Sequence, residues 1–147
     1  MKILKAGQKL NEYKMEKLNF RKSVFMVVYR WEGNKVKYLL LKRKLHWKGW
    51  EFSKGGVESN ESEEETAKRE IKEETGLEIK KLKRFDFHGK YKYKKKYPER
   101  GEFLGQRFSL YAVEVNNGKV KMDEHEHSNY EWLDFGDAMK RLTWKNQ

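Results

Sequence analysis

Between Gly55 and Leu77 the chain reads GGVESNESEEETAKREIKEETGL, and this run restricts the possible folds more than any other stretch. Gly55 and Gly56 open it where a tight turn is needed, and Gly76 stands where a helix C-cap glycine belongs. The residues between predict a helix over 62–75. At helical spacing Glu70 lies one turn from both Glu73 and Glu74, so the three carboxylates can share one edge. Such crowding makes physical sense when divalent cations neutralise it, and oxygen ligands favour hard ions such as Mg²⁺ or Mn²⁺. Ala67 and Ile71, four apart, supply a narrow apolar stripe by which the helix can dock on a sheet while its acidic edge faces a cleft.

The bland alternative is a solvated helix carrying charge pairs such as Glu64–Lys68 and Glu65–Arg69, each contributing only tenths of a kcal/mol. That explains neither the glycines nor the carboxylate edge. A calcium loop of the EF-hand type fails as well, because its alternating Asp/Asn ligands and central glycine are missing.

Gly55, then Glu61, then Arg69-Glu70-Ile71-Lys72-Glu73-Glu74-Thr75-Gly76-Leu77 resembles the Nudix hydrolase signature at every defined position. The resemblance implies an α/β fold, a three-layer α/β/α sandwich with a mixed sheet. It implies hydrolysis of a nucleoside diphosphate linked to another group. Glu70, Glu73 and Glu74 are then metal ligands, with the Gly55 carbonyl as a further one, and Arg69 bridges back to Glu61. Two positions depart from the pattern: Ser53 stands where relatives often carry proline, and Asn60 where a glycine commonly precedes the first glutamate. Asparagine tolerates the left-handed conformation, so the turn can survive.

The 147 residues suit a single domain able to bury a real core, with residues 1–20 as an N-terminal extension of ambiguous structure. No cysteine is present, which suits a reducing compartment. The start, MKILKAGQKL, resembles no secretory signal, and no run is long enough to span a bilayer, so the expected location is cytoplasmic. The net charge of +11 is segregated: residues 58–78 hold nine acids and three bases, leaving 31 bases against 14 acids elsewhere. A cation-loaded acidic cleft rimmed by bases would attract nucleotides or RNA alike.

Residues 23–31 and 35–42 read as a hairpin around Glu32-Gly33-Asn34, and 85–93 and 106–115 as further strands. Asn116-Asn117-Gly118 is a turn before the short segment 119–122, and Asp134 can cap a last helix through about Leu142.

Outside the box, Trp50-Glu51-Phe52 followed by Lys54-Gly55-Gly56-Val57-Glu58 resembles the strand leading into the box of diadenosine tetraphosphate hydrolases and related RNA pyrophosphohydrolases. Tyr93 falls where that branch keeps a tyrosine. Leu104-Gly105-Gln106, the run from Glu126 to Leu133 and the run from Leu142 to Gln147 look like the same branch. By alignment Glu126 approaches the metals as ligand or base; the plain reading is an exposed acid in a polar turn. Arg43 and Lys54 are candidates for phosphate contact, although the Arg43 stem can equally cover apolar surface. Tyr130 either packs beside the metal loop or holds adenine.

Residues 90–100, KYKYKKKYPER, interleave bases with tyrosines, so in an extended strand Tyr91 and Tyr93 share one face and lysines the other. The segment can stack a base and neutralise a phosphate chain, track an RNA 5′ end, or be a solvated hairpin. Trp47, Trp50, Trp132 and Trp144 are base platforms or packing residues, with packing favoured for Trp50 and Trp132. His125 and His127 lie in an acidic loop, and no Cys/His framework supports structural zinc. The leading expectation is asymmetric hydrolysis of diadenosine tetraphosphate to ATP and AMP. The alternatives are RNA 5′ pyrophosphohydrolysis or decapping, and an inert basic RNA-binding module. ADP-ribose pyrophosphatases usually show a proline at about the distance beyond the box where Tyr93 stands here, whereas the only proline of this chain is Pro98, which argues against that branch.

Overall fold

A computed structural model of the chain describes residues 20–93, 101 and 103–143. The N-terminal residues, the second half of the basic aromatic segment with Lys94, Lys95, Lys96 and Tyr97, and Trp144 at the end lie outside the described residues.

The apolar run that opens the described chain forms β1 (Phe20–Glu32), and a turn through Gly33 at φ 66° returns it as β2 (Lys35–Arg43). Two short strands follow, β3 (Gly49–Glu51) and β4 (Ser53–Gly56), and then α1 (Glu63–Thr75). The chain continues through β5 (Ile79–Lys92), β6 (Gly105–Val115), β7 (His127–Leu133) and α2 (Phe135–Arg141). The seven strands make one mixed sheet: β1 and β6 run parallel, and every other pairing is antiparallel.

Alternation along β1 sends Val24, Met26 and Val28 to one face, where they are fully buried with Ala67 and Ile71 of α1. Val27 faces the other way, in the cluster that Leu40 and Phe52 form with Ala138 and Leu142 at α2. Helix, sheet and helix are therefore the three layers expected. The two-residue stripe on α1 suffices because Thr66 and Thr75 are buried beside it.

One detail of the sheet creates the site. The second half of β1 pairs with β2 over Tyr29–Glu32, whereas its first half pairs with β4 over Ser23–Met26. Where β2 leaves β1 it continues between β3 and β7. The last residue of β3, the middle of β4 and the first residue of β7 are thus gathered near α1.

The structure extends the sequence-based elements in three places. β1 begins at Phe20, three residues early, and β5 at Ile79, six residues early. The leading half of β5 is rich in Lys80, Lys81, Lys83 and Arg84 and buries few side chains, so it carries little period-two signal. β7 was not foreseen as a strand, because His127–Leu133 offers few apolar residues. The segment 119–122 forms no regular element, but Val120 is buried and the Lys121 N–H donates to the Thr75 carbonyl at 2.7 Å, closing the C-terminal end of α1.

Candidate active site

The loop into α1 is shaped by its own residues. Asn60 takes the left-handed conformation, φ 65°, as its place in a glycine position requires. Ser62 caps the helix by accepting the Glu65 N–H at 3.1 Å, and Glu63, Glu64 and Glu65 lie in the favourable first turn. Gly76 ends it at φ 69°. Gly55 has a different reason to be glycine: a Cβ there would run into the Glu70 carboxyl group.

Arg69 ties loop and helix together. Its Nε donates to Glu61 Oε2 at 2.7 Å and its Nη2 to Glu61 Oε1 at 3.0 Å, while Nη2 also reaches the Gly56 carbonyl at 3.0 Å. Nη1 donates to Glu70 Oε1 at 2.8 Å and to Glu73 Oε2 at 3.3 Å. Held by Arg69 and then by the Thr66 hydroxyl, the Glu61 carboxyl is lowered to about 2. Arg69→Ala should remove a two-point charged link and leave Glu61 and Glu70 without it. The expected cost is about 1–3 kcal/mol, a fall of several degrees in Tm, together with lower activity. An unchanged Tm with only a raised KM would make Arg69 a substrate contact instead.

The three box carboxylates differ in environment. Glu73 is exposed and turned toward Arg69. Glu70 is raised to about 7, by burial first and against the pull of Arg69. Glu74 is only 2% exposed, and among the described residues neither of its oxygens has a hydrogen-bond partner. Burial first, then the charges of Glu70, Glu51 and Glu126, push Glu74 well above the usual carboxylate range. The buried Ser53 hydroxyl nearby eases that charge without a hydrogen bond of good geometry to either oxygen.

Glu126 comes from the far side of the sequence to within electrostatic reach of Glu70 and Glu74. Its carbonyl accepts the Lys44 N–H at 2.9 Å and the Leu45 N–H at 3.4 Å, which fixes this turn to the end of β2.

Two residues that sequence reasoning passed over complete the group. Glu51, 1% exposed, receives Lys54 Nζ at 3.3 Å, Arg43 Nη1 at 3.3 Å and His127 Nε2 at 3.0 Å. Burial alone would raise this carboxyl, but Lys54, the His127 hydrogen bond and Arg43 together hold it below its ordinary value. His127, expected in an acidic loop, is fully buried at the start of β7. The alternation Trp50-Glu51-Phe52 was the available signal: a carboxylate between two large aromatics points to the opposite face from them, and if buried there it needs a partner.

Arg43 is corrected by the same geometry. Expected as a phosphate contact, it is 5% exposed and donates Nε to the Leu45 carbonyl at 2.9 Å and Nη1 to Glu51, with Glu126 Oε2 at 3.9 Å. Its charge faces carboxylates inside the protein. Lys54 stands closer to an open face, with Nζ 5.6 Å from the Phe25 ring centroid and 5.7 Å from that of Trp47.

On that face, opposite α1, Phe25 stacks on Phe108 with centroids 4.0 Å apart. Tyr91 lies 6.5 Å from Phe25, and Tyr93 meets Tyr91 edge-on at 6.2 Å. The two tyrosines do share the face with the other aromatics. Tyr130 lies opposite Leu41 in β7 and, partly buried, packs on the α1-side core; Trp50 and Trp132 likewise pack against the two core clusters.

The donor set fits a divalent cation. A buried carboxylate with both oxygens unpartnered, beside two further carboxylates, is unfavourable in the bare protein and is relieved by a cation there.

A family model described as NUDIX domain matches residues 19–147. The chain is 31% identical over 120 residues to the bis(5′-nucleosyl)-tetraphosphatase (asymmetrical) of Caenorhabditis elegans, covering 81% of this chain and 83% of that protein. It is 29% identical over 141 residues to an RNA pyrophosphohydrolase of a Nitratiruptor species, covering 88% of each. A crystal structure of a C. elegans Ap4A hydrolase binary complex superposes with a TM-score of 0.69 at 26% identity, covering 86% of this chain and 88% of that one. The chain belongs to the Nudix hydrolase family. It is an enzyme of the pyrophosphohydrolase class. Among the described residues no helix is long and apolar enough to cross a membrane.

Proposed function

We propose that the chain is a Mg²⁺- or Mn²⁺-dependent hydrolase of dinucleoside polyphosphates, cleaving diadenosine tetraphosphate asymmetrically to ATP and AMP. The observation that carries this reading is the buried, unpartnered Glu74 carboxylate beside Glu70 and Glu126, with a stacked aromatic face reached past Lys54.

Glu70, Glu73 and Glu74, with the Gly55 carbonyl, would hold the divalent cation, which when bound neutralises phosphate oxygens and makes water acidic enough to attack. Glu126, partly exposed, is a further ligand or the base that takes the water proton. Lys54 sets a positive charge where a phosphate chain would pass from the carboxylates to the aromatic face. Tyr93 and its neighbours offer ring surfaces for an adenine. The relatives named above, one acting on a dinucleoside tetraphosphate and one on RNA, support the substrate class.

The second reading, removal of pyrophosphate from an RNA 5′ end, is favoured by Lys90, Lys92 and Arg107, which gather bases along β5 and β6, beside Lys22 and Arg84 paired with Glu63. An inert RNA-binding module is a poorer reading, because it gives the buried carboxylates no task.

One panel tests these readings: diadenosine tetraphosphate, triphosphorylated RNA, ADP-ribose and diphosphoinositol polyphosphates under one Mg²⁺ condition at two salt concentrations. Equal amounts of ATP and AMP from the dinucleotide are expected, with Tyr93→Ala raising its KM by about tenfold. Faster turnover of RNA, falling steeply with salt as several phosphate contacts require, would install the second reading.

A further inference from the structure

The cation site has one donor that is not oxygen. His127 opens β7 directly after Glu126, and in the register of β2 and β7 it lies opposite Arg43. It is fully buried. One ring nitrogen of His127 and one oxygen each of Glu74 and Glu126 all lie within 4.8 Å of one another. Among the described residues, both Glu74 oxygens and His127 Nδ1 are buried without hydrogen-bond partners. An unpaired imidazole nitrogen and an unpaired carboxylate carry the same deficiency, and a single cation between them satisfies both.

The ring is also oriented for such a task. His127 Nε2 meets Glu51 Oε1 at 3.0 Å, and Glu51 is itself held by Arg43 and Lys54. A carboxylate on one side of an imidazole fixes its tautomer and strengthens its donor character, which is how histidine ligands are commonly supported. The Glu126 backbone is held beside the ring, because its carbonyl is tied to two N–H groups at the end of β2.

We propose that His127 is a nitrogen ligand in a mixed N,O cation site with Glu74 and Glu126, so that the protein takes imidazole-preferring ions such as Co²⁺ and Zn²⁺ in preference to Mg²⁺. The inference rests on the reading that these carboxylates hold a divalent cation, and adds a ligand and a metal preference to it.

Chelator-treated full-length protein would be titrated with Mg²⁺, Mn²⁺ and Co²⁺ by calorimetry, and the Mn²⁺-loaded protein measured by electron spin-echo spectroscopy for nitrogen coupling. Wild type should bind Co²⁺ at least about a hundredfold more tightly than Mg²⁺ and show a directly coupled imidazole nitrogen. His127→Gln should lose that signal and at least about tenfold in Co²⁺ affinity, while Mg²⁺ affinity stays within about threefold. His125→Gln, exposed two residues earlier, should leave both unchanged. Tight Mn²⁺ binding with no nitrogen coupling in the wild type overturns the assignment, and that spectrum decides the matter if His127→Gln does not fold. Equal loss of all ions in a folded His127→Gln overturns it too. If no divalent cation binds the wild type, the cation-dependent reading falls with it.

Discussion

Glu74→Gln is expected to lower turnover by at least about two orders of magnitude while making the cation-free protein more stable. The two effects share one cause. Glu74 is a carboxylate almost out of contact with water, facing Glu70, Glu51 and Glu126, with no hydrogen-bond partner on either oxygen among the described residues. Replacing it by an amide of the same shape removes the charge that a cation would need and the repulsion that the bare protein tolerates. Activity assays and thermal melts in chelator would be read side by side. Glu73→Gln is the control: this exposed residue faces Arg69, so its replacement should reduce turnover without raising Tm. Near-normal turnover in Glu74→Gln would remove the carboxylate from the chemistry, and a lower Tm would show that its burial is not a source of strain.

The parts of the site visible in the sequence were those set by local spacing. The glycine cap at Gly76 and the stripe of Ala67 and Ile71 lie within one helix, and the Arg69–Glu61 link that the family resemblance implied spans only eight residues, whereas Ser62 was placed inside the helix and not as its cap. Asn60 was legible for a similar reason, because its conformation depends on its own side chain. What remained hidden depends on strand pairing across the chain. Glu51 and His127 are 76 residues apart, and each sits among residues that by themselves suggest something simpler: a strand for one, a polar turn for the other. Arg43 looked like a surface cation until β2, β3 and β7 closed around it. Periodicity reports which face a residue takes and does not report a partner on another strand.

That buried group also predicts how the cation-free protein responds to pH. Glu70 is raised to about 7 and Glu74 well above its ordinary value, in each case by burial before any neighbouring charge. Between roughly pH 4.5 and 7 the native state therefore holds protons that the unfolded chain has lost, so stability falls as pH rises through this window. For Glu70 the shift corresponds to an upper limit of about 3 kcal/mol, and relaxation of its surroundings reduces this to about 1–2. Glu61, lowered to about 2, acts oppositely: it contributes stability above about 4.5 that is lost as pH falls toward 2. The general effect of the high positive charge can be cancelled by comparing wild type with Glu74→Gln in chelator. The Tm advantage of the variant should be small near pH 5 and widen by several degrees at pH 7.5. Mg²⁺ or Mn²⁺ should close that gap from the wild-type side, because the cation binds ionised carboxylates and stabilises wild type most at the higher pH. A Tm difference that stays constant from pH 5 to 7.5, or a cation effect equal in both proteins, would mean that Glu74 does not carry the charge repulsion assigned to it.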